Sequence, residues 1–129
     1  MSKYVDGFIL VVPKAKTEEY RKMAEEGRDS WMKHGALTYY ECIGDDLKPE
    51  EIGPDKSRSF REMAGAEDGD DVWFSFIVFE SKEHRDRVNK KVMEEMDETY
   101  AEQSDFVMPF DMNKLAKGGF EVIVEGQKA

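Results

Sequence analysis

The order of periodic segments predicts an α+β fold: a ferredoxin-like βαββαβ antiparallel sheet with two helices on one face. Three observations carry this. Residues 72–79 read VWFSFIVF and residues 8–12 read FILVV, and uncharged runs of this kind belong to strands covered on both faces, since a strand with one wet face alternates. Only two long helical patterns accompany them, enough to cover one face of a small sheet. In a ferredoxin-like order the first and third strands are central, and those are the two apolar runs. The face left bare calls for a partner, and a second copy of the chain, a homodimer, is the economical one.

The elements follow in order. Residues Tyr4 to Val12 form the first strand, closed by Pro13, which lacks the donor a ladder needs. From Thr17, the residues Tyr20, Met23, Ala24, Gly27, Trp31 and His34 recur at spacings of three and four, the stripe of an amphipathic helix; Glu18 and Glu19 suit its positive end and Gly35 its stop. Ala36 to Gly44 is the second strand and Asp71 to Phe79 the third. Ser81 reads as an N-cap, with Val88, Val92 and Met96 as the buried stripe of the second helix. Gly119 to Val124 supplies the fourth strand. Two inserts are irregular: about 45–70, where Phe60 and Met63 are placed to anchor a short helical turn, and about 97–116, where Phe106, Met108 and Phe110 are too apolar for a mere solvated loop.

At 129 residues the chain is read as a single domain, 1–129, long enough to bury roughly two thirds of its unfolded surface. No apolar run approaches a bilayer span, and MSKYVDGF enters strand pattern at once, without the regions of a signal peptide. With Cys42 as the single cysteine, read as a buried inert thiol, a reducing, cytoplasmic setting is expected. The net charge of −10 makes this an acidic protein that repels phosphate backbones and anionic lipid, so neither nucleic acid nor membrane is an expected partner. WFSFIVF has a faint likeness to the third-strand motif of RNA-recognition domains, but Asp70, Asp71 and Val72 stand where that motif opens with basic and glycine residues.

Candidate chemistry is sparse. No GxGxxG, P-loop, HExxH or paired-cysteine spacing occurs, so neither cofactor nor metal is expected. With the two helices read as parallel, His34 and His84 fall at opposite ends, on the order of 25 Å apart, and packing or capping roles suit both. Arg85 and Asn89, four apart, are neighbours on the second helix, and Gly118-Gly119 reads as close backbone packing. Trp73, Tyr39 and Phe79 are placed as apolar walls, and Asp6, Glu41, Ser75 and Glu121 as polar contacts, projecting into the space enclosed by the free sheet face. Glu41 and His84 are the weak candidates for a catalytic base.

Three stretches together, YVDGF at Tyr4–Phe8, HRDRVNKKVM at His84–Met93, and MPFD with GGFE at Met108–Asp111 and Gly118–Glu121, resemble the YbaA-like family of uncharacterised bacterial proteins across nearly the whole chain. The resemblance implies a dimeric α+β barrel, two ferredoxin-like sheets paired face to face. That broader class holds cofactor-free monooxygenases, isomerising and dehalogenating enzymes, haem-degrading proteins and pure ligand binders. In the family's usual pattern glycine follows PFD, where this chain has Met112.

The expected function is therefore small-molecule binding in or at the rim of the barrel. The alternatives are a cofactor-independent enzyme of the monooxygenase, isomerase or lyase type, and an interaction module whose acidic 45–70 insert meets a basic partner.

Overall fold

The computed structural model describes residues 2–101 and 107–128. Its elements are β1 (Tyr4–Pro13), α1 (Thr17–Lys33), β2 (Thr38–Ile43), a short hairpin of β3 (Glu51–Ile52) and β4 (Asp55–Lys56), α2 (Phe60–Ala64), β5 (Asp70–Phe79), α3 (Lys82–Tyr100) and β6 (Ala116–Glu121). The main sheet has the order β2-β5-β1-β6, so the two apolar runs are central, as expected of a ferredoxin-like α+β fold.

The apolar runs meet in a ten-pair antiparallel ladder from Tyr4 opposite Phe79 to Pro13 opposite Asp70. Successive side chains in a strand point to opposite faces. One face therefore carries Asp6, Phe8, Leu10 and Val12 from β1 with Trp73, Ser75, Ile77 and Phe79 from β5, and the helices cover it. Two core clusters fill this side: Leu10, Val12, Tyr20, Ala24 and Trp73 toward one end, and Ala36, Ile77, Phe79, Val88 and Val92 toward the other. The opposite face carries Val5, Gly7, Ile9, Phe74, Phe76 and Val78 with Tyr40 and Phe120; α2 covers only its Val11–Val72 end, where both valines are buried, and neither long helix reaches it. Tyr40 and Phe120 are more than half exposed there, at 55% and 61%.

Local chemistry places the ends. Ser81 caps α3 by accepting a hydrogen bond from the His84 amide at 3.1 Å. The Phe60–Met63 turn is α2, capped by Ser59 and stopped by Gly65 at φ 72°, a left-handed conformation that glycine adopts freely. Gly119 sits where a β-carbon would collide with the Tyr4 hydroxyl and come within 2.8 Å of Arg85, the close packing read from Gly118-Gly119.

Five expectations need correction. The last strand is Ala116–Glu121 rather than Gly119–Val124, because its ladder runs beside β1 only from Ile9 back to Tyr4; beyond it, the Val122 amide reaches Lys3 and the chain leaves the sheet. The second helix continues to Tyr100, so the second insert starts later than 97; Phe106, placed in that insert, lies outside the described residues. The helices are antiparallel, not parallel, because each runs back along a strand and those strands are themselves antiparallel: the Tyr100 hydroxyl donates to Glu26 and the Trp31 indole to Asn89. The residue after His34, Gly35, consequently lies beside the His84 ring, 3.4 Å from a β-carbon position to Nε2, and the two histidines are not at opposite ends. Cys42 is exposed rather than buried, because its parity on β2 is that of the bare face.

Phe79 belongs to the core, fully buried against Val88, Val92 and the His84 ring. Phe79→Ala is expected to lower the unfolding free energy by about 3–5 kcal/mol, measured by urea denaturation; a loss below about 1 kcal/mol would place the ring outside the packed interior.

Candidate functional site

Under α1, close to the β2 edge, one carboxyl gathers the hydroxyls of three elements. Glu41 on β2 is paired with Ser75 on β5, which sets both on the helix-covered face. Tyr39, two residues earlier on the same strand face, donates to Glu41 Oε1 at 2.8 Å, and Tyr20 from α1 donates to Oε2 at 2.8 Å. The Ser75 hydroxyl, opposite Glu41 in the ladder, also favours its charged form. α1 approaches this closely because residue 27 is glycine: a β-carbon there would lie 3.0 Å from the Tyr39 hydroxyl.

Aromatic rings surround the cluster. Tyr20 meets Trp73 edge-on with centroids 4.9 Å apart and Phe110 at 5.8 Å, and Trp31 lies 6.0 Å from Tyr39. Phe110 comes from the Met108–Asp111 stretch, where Pro109 is buried and Asp111 caps the following turn by accepting from Asn113. Trp73 is 7% exposed, and its Nε1–H has no hydrogen-bond partner among the described residues. Buried donors are almost always paired, so an idle indole N–H beside a shared carboxyl is a marked feature.

Burial pushes the Glu41 carboxyl above its ordinary value, against the hydrogen bonds from Tyr20, Tyr39 and Ser75, which favour the charged form. Burial, then the charge of Glu41 and the bonds to it, push the Tyr20 and Tyr39 phenols well above theirs. Both tyrosines therefore remain donors at any physiological pH, and Glu41 is the group whose proton moves.

A second polar network lies on the same face but on the other side of the central strands. Asp6 accepts from Asn89 Nδ2 at 3.1 Å and has Arg85 Nε at 3.5 Å; Trp31 Nε1 donates to Asn89 at 2.9 Å, and Arg85 donates to Tyr4 while stacking over its ring. Here the buried acid already has its cation, and the network locks α3 onto β1. Arg85 and Asn89 are thus intramolecular partners.

The register answers each site expectation. Asp6, Tyr39, Glu41, Trp73, Ser75, Phe79 and Glu121 do share one face, but it is the helix-covered face, so none looks into the space between paired sheets. The reason is parity: the apolar runs offered no wet side to mark which set turned outward. Tyr39, Glu41, Trp73 and Ser75 come together. Asp6 joins the Arg85 network, Phe79 the core, and Glu121 is exposed on β6, three strands and roughly 14 Å from β2, so the two glutamates do not form a pair. His84 stands at the far end of β5 from Ser75, roughly 13 Å along the strand. Its Nδ1 accepts the Glu80 amide at 3.0 Å, which occupies the lone pair a general base would use there. Tyr20, Gly27 and Phe110 were not among the expected site residues; the available signal was a phenol on a buried helical stripe, whose hydroxyl needs a partner. Among the described residues no group of His, Cys, Asp or Glu is arranged to hold a metal ion.

The bare sheet face has hollows at its ends. One, of about 430 Å³, lies among Val5, Val78, Leu37, Thr38 and the tail at Val122–Gln127. The other, of about 230 Å³, lies between Leu47, Phe60 and the strand residues Ile9, Ile43, Val72 and Phe74.

A carboxyl whose folded pKa is raised holds its proton longer in the folded state than in the unfolded chain. Stability consequently falls as pH climbs from the unfolded carboxylate value through the raised folded value, and the whole penalty is present above it. Glu41→Gln removes the titration, so its stability relative to the parent should rise with pH across that window. Urea denaturation at a series of pH values reads this; a difference independent of pH would mean that Glu41 titrates alike in both states.

Comparison with known proteins adds family and fold. The family described as "Protein of unknown function (DUF1428)" matches residues 3–112. The "Uncharacterized protein YbaA" of Escherichia coli (strain K12) is 39% identical over 124 residues, covering 95% of this chain and 98% of that protein, and the protein of the same description from Shigella flexneri matches equally. Among solved structures, a dimeric ferredoxin-like protein from an uncultured marine organism superposes with a TM-score of 0.59 at 7% identity, over 98% of this chain and all of that one. A second, also described as a dimeric ferredoxin-like protein from an uncultured marine organism, gives 0.56 at 12% identity, over 99% of this chain and all of that one.

Proposed function

Because the chain belongs to the DUF1428 family, whose description assigns no activity, we propose its function from the site: a homodimer in which each protomer binds a small organic molecule at the Glu41 cluster beneath α1. The observation that carries this reading is the buried, unpartnered Trp73 Nε1–H beside the carboxyl shared by Tyr20 and Tyr39. Ser30 Oγ and Arg85 Nε likewise lack a hydrogen-bond partner among the described residues, but the Trp73 donor is the one beside the shared Glu41 carboxyl, and an unmade buried hydrogen bond costs about 1–3 kcal/mol. A ligand oxygen accepting from Trp73 offsets that cost. The rings of Tyr20, Trp73 and Phe110 are side chains of the kind that line small-molecule sites, while the two hollows lie on the other sheet face.

The homodimer rests on the bare sheet face. Tyr40, Phe76 and Phe74 form a continuous aromatic row there, with centroids 5.3 and 5.7 Å apart, and Phe120 covers Gly7 beside it. An apolar surface of this extent on a small soluble domain marks an association site. The similar solved structures are described as dimeric, which agrees with two sheets pairing through these faces. No helix among the described residues is long and apolar enough to cross a membrane.

A second reading, acid–base enzyme, is favoured by one observation: the raised Glu41 carboxyl exchanges its proton closer to neutrality than an ordinary glutamate does, which is how a general acid or base is tuned.

Sedimentation should find the parent a dimer and Phe74→Asp, which places a charge on the paired faces, a monomer with the same helix content. A thermal-shift screen of small organic molecules tests the site. Trp73→Phe removes the donor together with part of a core ring, so it should still fold at a cost of about 1–2 kcal/mol, while hits lose roughly tenfold in affinity. A monomeric parent would remove the paired-sheet assembly, and hits indifferent to Trp73 would remove the site.

A further inference from the structure

The Glu41 carboxyl is half-buried and has no ion pair among the described residues, the charge of Arg28 reaching only its partner Tyr39. Its partners are hydroxyls alone, from Tyr20, Tyr39 and Ser75, and among the described residues no Lys, Arg or His ion-pairs with it. Asp6, more deeply buried, has the guanidinium of Arg85. Taking a carboxylate out of water without a counterion is costly, and a cation arriving in the same place recovers much of that cost.

The walls suit such a cation. Tyr20 and Tyr39, whose hydroxyls hold Glu41, are themselves packed against other rings, Tyr20 edge-on to Trp73 and Phe110 and Tyr39 beside Trp31, so the neighbourhood of the carboxyl is aromatic. Aromatic faces attract organic ammonium groups, and recognition of quaternary ammonium by aromatic cages is an established use of that attraction. The Trp73 Nε1–H asks for an oxygen acceptor beside the cation. An anionic ligand would meet the Glu41 charge, and a neutral one would satisfy Trp73 while leaving the acid unpaired.

From this we propose that the site takes a small organic ammonium compound carrying an oxygen acceptor, its ammonium group against Glu41 and the rings and its oxygen accepting from Trp73 Nε1. The proposal rests on the reading of this cluster as a ligand site and adds its charge class. Glu41 lies on the helix-covered face, so pairing through the bare face leaves the cluster uncovered.

Calorimetric titration of the full chain, at a pH well above the carboxylate range, tests it with three probes: choline, tetramethylammonium, and dimethylbutanol, the uncharged carbon isostere of choline. Choline should bind tightest. Tetramethylammonium, lacking the hydroxyl, should bind about fivefold more weakly, and the neutral alcohol at least about tenfold more weakly. Glu41→Gln, checked for folding by denaturation, should erase the preference for choline over the alcohol. Equal binding of charged and neutral probes, or a preference that survives in Glu41→Gln, would overturn the charge assignment. So would failure of all three probes while an uncharged hit from the thermal-shift screen binds in a Trp73-dependent way, and in that case the small-molecule site itself would stand. If no compound of any charge depends on Trp73, the site reading fails and this inference falls with it.

Discussion

The antiparallel pairing of β1 with β5 is the constraint on which the rest depends. Ten consecutive residue pairs lock the two strands, and because side chains alternate, that one register decides which residues of both strands turn to the helices and which to the bare face. A slip of β5 by one residue against β1 would bring Trp73 and Ser75 onto the bare face and put Phe74 and Phe76 on the helix side, where Asp6 stays. The edge strands inherit the decision: β2 pairs with β5 and β6 with β1, so the parity of Glu41, Tyr39 and Phe120 follows from a ladder to which they do not belong.

Each face then solves a different problem. On the covered face, acids enter among apolar side chains, and each must be reconciled with burial. Asp6 is reconciled by Arg85 and Asn89, which tie it to α3; truncating any of these leaves a buried charge or donor unmatched, so the network reads as structure. Glu41 is only half reconciled. Hydroxyls bind a carboxylate without neutralising it, and burial outweighs them, as the upward displacement of its pKa records. With the Trp73 donor idle beside it, the same region holds an acceptor short of charge and a donor short of an acceptor. A folded chain gains nothing by keeping both, whereas a ligand that answers both gains twice.

Much of the architecture was legible because burial leaves marks in composition. Uncharged runs announced the two central strands, stripes at three and four announced the helices, and Ser81 announced a helix start that the structure places at that residue. What stayed hidden was orientation. A run such as VWFSFIVF has no polar side to reveal which residues face the helices, so the shared face of Asp6, Tyr39, Glu41, Trp73 and Ser75 was readable while the identity of that face was not. Helix direction was lost for a related reason: the relative sense of α1 and α3 depends on strand pairing, which no local pattern carries. The site was partly visible through Glu41 and Tyr39. Tyr20 disappeared into an apolar stripe, because a tyrosine's hydrocarbon body fits that pattern and its hydroxyl leaves no trace in periodicity.

β5 serves both faces at once, and this gives the arrangement its logic. Phe74 and Phe76 turn toward the bare side, and Trp73 and Ser75, their immediate neighbours, turn toward the Glu41 cluster. Two sheets pressed together through Phe74 would hold β5 rigid, and the position of the Trp73 indole is set by that strand's backbone. If copies pair and a ligand binds as proposed, the two events would share β5 rather than a surface. The uncharged run has a further use in that setting. Charged residues on β5 would have served neither the pairing of copies nor the low-dielectric surroundings that keep the Glu41 carboxyl displaced from its ordinary value, and the strand carries none from Val72 to Phe79.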